Sequence, residues 1–108
     1  MRNRSLLIFT LLAFFLTFAE RASAADAAKI KQGEKLFAER QCTACHAING
    51  KGGPVGPDLT KVGSRRDEAW LKKFLPDPKS VAPETMMPPF RGTKEELDAL
   101  VAYLLSLK

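Results

Sequence analysis

One histidine, two cysteines, one tryptophan and one tyrosine are spread over a chain of 108 residues. With His46 as the single histidine, a site built on two histidine ligands is impossible, and so is a Cys2His2 finger. A Ser-His-Asp triad could exist only around His46 itself. No stretch alternates apolar and polar residues for long enough to make a strand, and β-branched residues are scattered. There are no internal repeats. The glycine-rich stretch Asn49 to Pro57 lacks the Gly-Lys-Ser/Thr ending of a phosphate loop, so nucleotide binding has no support. What is present is ordinary in bulk: 45% hydrophobic and 27% charged residues, close to the globular average, exclude a wholly disordered chain. The length allows one small domain. Any chemistry must pass through residues 42 to 46, where both cysteines and the histidine stand.

The first residues read as a leader. Arg2 and Arg4 form a positive flank, and Leu6 to Ala19 is a 14-residue apolar run without a charge. Ala22-Ser23-Ala24 offers small residues at the positions signal peptidase reads, so residues 1–24 are expected to be a signal peptide cleaved before Ala25, leaving 25–108 as the functional domain. A spanning anchor wants about 20 apolar residues, and this run is short and followed at once by Glu20 and Arg21. No cysteine near the cleavage site could take a lipid. Export to the periplasm, without stable membrane insertion after cleavage, is the expectation.

The mature chain would carry 14 basic and 11 acidic residues, a net charge of +3. That small surplus, without a clustered basic stripe, argues against a nucleic-acid partner. Arg65-Arg66 and Lys72-Lys73 are the adjacent basic pairs, expected as an entry turn and the wet side of a helix.

All seven prolines and six of seven glycines fall between Gly50 and Gly92, so turns crowd the middle and helices the ends. Ala27 to Gln41 reads as a helix capped by Asp26, with Ile30, Leu36 and Phe37 as apolar members. About Asp67 to Leu75 a second short helix buries Trp70, Leu71, Phe74 and Leu75 and is stopped by Pro76. The last helix is the clearest: Thr93 caps it, Glu96 completes a capping box, and Leu97, Leu100, Val101 and Leu104 follow helical spacing. Glu34, Glu39, Glu95 and Glu96 read as surface charges. The fold class is all-α.

A few short helices around Gly/Pro loops make a poor core for so small a domain, which usually needs a staple. A Cys42–Cys45 disulfide would close only a tiny loop and constrain little, although an oxidising compartment permits it. The spacing Cys42-Thr43-Ala44-Cys45-His46 is the Cys-x-x-Cys-His pattern of covalent haem attachment. Two thiols one turn apart can each add to a haem vinyl group, and the adjacent histidine is then held under the iron. A thioredoxin-like pair would want a βαβ setting, and a zinc site would crowd three ligands into five residues without a fourth.

At these residues the chain resembles the small monohaem class I cytochromes c of bacterial periplasms, over nearly the whole mature length. The resemblance is carried by Cys42-Thr-Ala-Cys45-His46, Gly56-Pro57-Asp58-Leu59, Met86-Met87-Pro88-Pro89-Phe90 and a closing helix ending Val101-Ala-Tyr103-Leu. It implies a small cytochrome c fold, three to five short helices wrapped around one covalently bound haem c. It implies that Gly33 and Phe37 meet Leu100 and Tyr103 where the terminal helices cross, and that the Pro57 carbonyl accepts the outer ring N–H of His46. Trp70 is a candidate to donate its indole N–H to a haem propionate; the alternative is a core aromatic.

Bis-histidine ligation within one chain is impossible, so the sixth iron position falls to Met86, Met87, a lysine or nothing. Pro88 and Pro89 hold residues 87 and 88 extended, and neighbouring side chains on an extended chain point to opposite sides, so only one methionine can face the haem. Met87 is the choice, on that stiffness and because the ligand in similar cytochromes commonly precedes proline; Met86 is second. A saturated iron passes single electrons, which makes a one-electron carrier and not an enzyme the expectation; solubility is expected from cleavage of the leader, and a monomer is expected. Its partners would be redox protein donors and acceptors such as reductase or oxidase complexes, met at a haem edge ringed by some of Lys51, Lys61, Lys72 and Lys73. The alternatives are a small haem peroxidase or a gas-sensing haem protein with an open or labile distal site.

Overall fold

The structure is a computed structural model that describes residues 23–108. The apolar run expected as a leader lies outside the described residues. Three α-helices carry the architecture, α1 over 23–39, α2 over Glu68–Phe74 and α3 over Lys94–Ser106, with single 3₁₀ turns at Cys42–Ala44, Val62–Ser64 and Pro78–Ser80. Among the described residues no helix is long and apolar enough to cross a membrane.

The expected helical class is borne out, with two differences in detail. α1 runs through Asp26 and stops at residue 39, so Asp26 is an interior residue and not the cap expected of it. The alanines around it, the best helix formers, carry the helix past it. The chain also makes a small antiparallel hairpin, β1 (Ala47–Ile48) against β2 (Lys51–Gly52), where no strand was expected. Its turn is Asn49-Gly50, both with positive φ (51° and 78°), the dipeptide favoured in type I′ hairpins. Two-residue strands are too short for alternation to register.

α3 is the hub. Ala99, Leu100, Val101 and Leu104 are all buried, at helical spacing on one face, and each large side chain contributes about 1.5–3 kcal/mol by leaving water. Its start follows the expected capping box: the Glu96 N–H donates to Thr93 Oγ1 at 3.1 Å, and the Thr93 N–H donates to Glu96 Oε2 at 3.0 Å. Against it crosses α1. A Cβ at Gly33 would run into the Ala99 carbonyl and Tyr103, so only glycine lets the two backbones approach this closely. One turn on, Phe37 meets Tyr103 edge to face, ring centroids 5.7 Å apart and planes at 64°. The expected clamp of chain start on chain end is present.

α2 is seven residues long, too short to persist alone. Asp67 caps it, its side chain accepting the Trp70 N–H at 2.8 Å. Leu71 and Leu75 are buried in the common core with Phe37, Val62, Leu100, Val101 and Leu104. Trp70 and Phe74 are only half-buried. Lys72 ties α2 to α3, 2.5 Å from Glu68 and 3.4 Å from Asp98. Both lysines lie on the wet side as expected, Lys73 exposed and Lys72 partly covered by its ion pairs.

Candidate functional site

α1 ends abruptly because Gln41 adopts the left-handed conformation (φ 59°), turning the chain into the 3₁₀ turn Cys42–Ala44. The His46 N–H donates back to the Cys42 carbonyl at 3.0 Å, so residues 42 to 46 form one compact loop. Both cysteines are free thiols, Cys42 half-buried against the core and Cys45 exposed. Burial pushes the Cys42 thiol above its ordinary pKa.

His46 Nδ1 lies 2.8 Å from the Pro57 carbonyl oxygen. A carbonyl can only accept, so Nδ1 carries the proton and donates it. Nε2 is then the unprotonated nitrogen, the form in which imidazole binds a metal. Gly56 fits beneath the ring: a Cβ there would stand 2.5 Å from Cε1, 2.7 Å from Nδ1 and 3.0 Å from Nε2. Its N–H donates to the Cys45 carbonyl at 2.7 Å.

The residues that follow Pro57 are held by a knit of contacts. The Thr60 N–H donates to Asp58 Oδ1 at 2.8 Å, the Asn49 N–H to Thr60 Oγ1 at 2.9 Å, and Arg65 to the Asp58 carbonyl at 2.8 Å. Thr60 holds the Asp58 carboxyl below its ordinary 3.8. Arg65 was expected only as part of an entry turn; its partner is seven residues away, and nothing in local sequence marks such a contact.

Met87 is half-buried and packs against the core cluster that Cys42 also touches, whereas Met86 is 86% exposed. The Met87 N–H donates to Thr85 Oγ1 at 3.2 Å. On its other side Met87 borders an open groove of about 380 Å³ with Pro78, Lys79, Pro89 and Arg91. Trp70 stacks on Phe74, centroids 4.5 Å apart, beneath the Arg66 guanidinium at 4.2 Å. Among the described residues its indole N–H has no protein acceptor.

The sequence-expected residues thus converge: Cys42, Met87 and Trp70 border one apolar cluster, with Leu59 and Phe90 beside them. Residues 30–108 match the cytochrome c family. The chain belongs to that family. It is 36% identical over 86 residues to cytochrome c oxidase subunit 2 of Alkalihalophilus pseudofirmus, covering 71% of this chain and 25% of that protein. It is 35% identical over 88 residues to cytochrome c2 iso-2 of Magnetospirillum fulvum, covering 61% of this chain and 91% of that one. In structure it is similar to the c-type cytochrome SorU from Sinorhizobium meliloti, with a TM-score of 0.59, 25% identity, and coverage of 75% and 92%. This cytochrome spans about a quarter of the length of the oxidase subunit. Membership of that family implies covalently bound haem c. The residues present fit that group, with two free thiols, an imidazole with Nε2 open, and a half-buried thioether on the apolar cluster that Cys42 also touches.

Proposed function

We propose that this cytochrome is a periplasmic one-electron carrier whose haem is bonded through Cys42 and Cys45 and ligated by His46 and Met87. When bound, haem iron supplies reversible one-electron chemistry, and a thioether ligand favours its ferrous form. The protein's part is positioning. The Pro57 carbonyl fixes the His46 tautomer and turns Nε2 toward the metal. Pro88 and Pro89 stiffen the segment behind Met87, so that little entropy is lost on ligation. The observation that carries the ligand choice is the contrast between a half-buried Met87 and an 86% exposed Met86.

With His46 and Met87 both holding the iron, peroxide and oxygen would find no open site, and the chain would hand electrons on without transforming a substrate. No second histidine supplies a distal acid-base group for a peroxidase. Trp70, whose indole N–H has no protein acceptor among the described residues, would donate to a propionate. The partners are redox proteins of the kind named among the relatives, oxidase subunits and, in Bacillus subtilis, a menaquinol:cytochrome c reductase cytochrome c subunit. Residues 1–24 are removed on export, so intact mass of the exported protein corresponds to a start at Ala25 plus one haem.

The deciding experiment is carbon monoxide binding to the reduced holoprotein at neutral pH. The wild type binds none; Met87→Ala binds it and loses the near-infrared sulfur-to-iron band of the oxidised protein, while Met86→Ala keeps the band. Ready binding by the wild type would return the open-site reading, and the reverse pattern between the variants would hand the ligand to Met86.

A further inference from the structure

Arg40 stands two residues before Cys42 and makes three distant contacts at once. Its Nη1 donates to the Arg91 carbonyl at 2.8 Å. Its Nη2 lies 3.3 and 3.2 Å from the two Glu96 carboxylate oxygens. The guanidinium carbon sits 5.5 Å from the Phe90 ring centroid. All three partners lie between Met87 and the first turns of α3.

That segment has few other fastenings. Pro88 and Pro89 carry no N–H and can donate to nothing. Between Met87 and Lys94, the Phe90 N–H donates to the Leu75 carbonyl at 2.7 Å, and the Arg91 carbonyl is taken by Arg40. Glu96 is the same carboxylate that closes the capping box on Thr93. One guanidinium therefore holds both the loop carbonyl and the group that starts α3. A planar fork of five donors can span two acceptors in fixed directions; an ammonium is a single point of charge.

We propose that Arg40 is a positioning residue for Met87: through the Arg91 carbonyl it fastens the methionine segment to the chain end of α1 that leads into Cys42, and so holds the thioether-ligated state against an open one. The inference rests on the reading of Met87 as the iron ligand. The Arg40 side chain donates to neither Met87 nor the haem-bearing residues; it acts through the Arg91 carbonyl. The stiff Pro88-Pro89 pair transmits the restraint, because an extended dipeptide with fixed φ does not absorb a displacement of its far end. The Glu96 ion pair is a separate contribution, a staple between α1 and α3 whose loss would lower stability without freeing the loop.

Imidazole titration of the oxidised holoprotein at pH 7, followed by loss of the near-infrared band, separates the two roles. An external ligand binds only the open state, so apparent affinity scales with the open fraction. Arg40→Gln should bind imidazole about tenfold more tightly than wild type, equivalent to ~1.4 kcal/mol. Glu96→Gln keeps an acceptor for Thr93 and leaves Arg40 on Arg91, so its affinity should stay within about twofold, as for loss of an exposed ion pair. Arg40→Lys should restore the melting temperature toward wild type yet keep the raised imidazole affinity, and it decides the matter if Arg40→Gln fails to fold. Wild-type imidazole affinity in the Arg40 variants, with only a lowered melting temperature, would overturn the proposal. A wild type lacking the band would instead overturn the Met87 reading and this inference with it.

Discussion

Replacing Gly56 with alanine sets a methyl group against the face of the His46 imidazole. The added carbon would stand 2.5–3.0 Å from three ring atoms, where non-bonded carbons settle near 3.5–4.0 Å. Something must yield by about 1 Å. The ring cannot slide freely, because Nδ1 is tied to the Pro57 carbonyl at 2.8 Å. Nor can the loop lift freely, because the Gly56 N–H is bonded to the Cys45 carbonyl at 2.7 Å. Overpacking of this kind costs about 1–3 kcal/mol, and a lost neutral hydrogen bond adds about 0.5–1.5 kcal/mol. At about 4–8 °C per kcal/mol for a domain of this size, the holoprotein should melt at least ~6 °C lower. The potential should also rise, since an imidazole that no longer donates to a carbonyl is a poorer electron donor to iron. Thermal melts and voltammetry of purified holoprotein read both effects. Gly50→Ala is the control: its φ is +78° but nothing lies within 4 Å of its Cβ, so it should lose about 1–2 kcal/mol of stability to backbone strain and leave the potential alone. A Gly56→Ala protein with wild-type melting temperature and potential would refute the steric argument.

Asp58 ties local stability to pH. Because Thr60 holds its carboxyl below the ordinary 3.8, the contribution is present above that value and is lost as pH falls through the lower, folded one. The difference in melting temperature between wild type and Asp58→Asn should therefore be open at pH 6 and narrow as pH falls below 3.8; a constant gap would contradict it. Among the lysines expected around a docking face, Lys51, Lys61 and Lys73 are exposed, while Lys72 is engaged by Glu68 and Asp98. Electron transfer to an acidic partner should slow as ionic strength rises and shortens the screening length. Lys73→Glu should flatten that dependence, whereas Lys72→Gln should mainly lower the melting temperature. A rate indifferent to salt would remove these lysines from the docking face.

The chemistry and the helical ends were legible in the sequence because their signals are local. Cys42, Cys45 and His46 stand within five residues, so their spacing alone carries the haem motif. The Thr93–Glu96 capping box and the apolar face of α3 fall within one or two turns, where i, i+3 and i+4 neighbours are fixed by helix geometry. The hairpin at Asn49-Gly50 also had a local mark, its turn dipeptide, but strands of two residues leave no period to read. Asp26 missed its cap because alanines on both sides favour helix, and a propensity summed over neighbours outweighs one capping residue.

Tertiary structure decided what depends on contacts between distant segments. Which methionine faces the core follows from how residues 81–92 return across α2, with the Phe90 N–H on the Leu75 carbonyl. Lys72 has a local partner in Glu68, one turn back on α2, and gains its second only because α3 brings Asp98 alongside it. Arg65 and Arg40 meet carbonyls seven and 51 residues away, and a backbone carbonyl is the same acceptor whatever residue bears it. No side-chain pattern could announce those bonds. The sequence by itself named the groups proposed for the chemistry; the packing of α1, α2 and α3 decided which of them are half-buried and what holds them there.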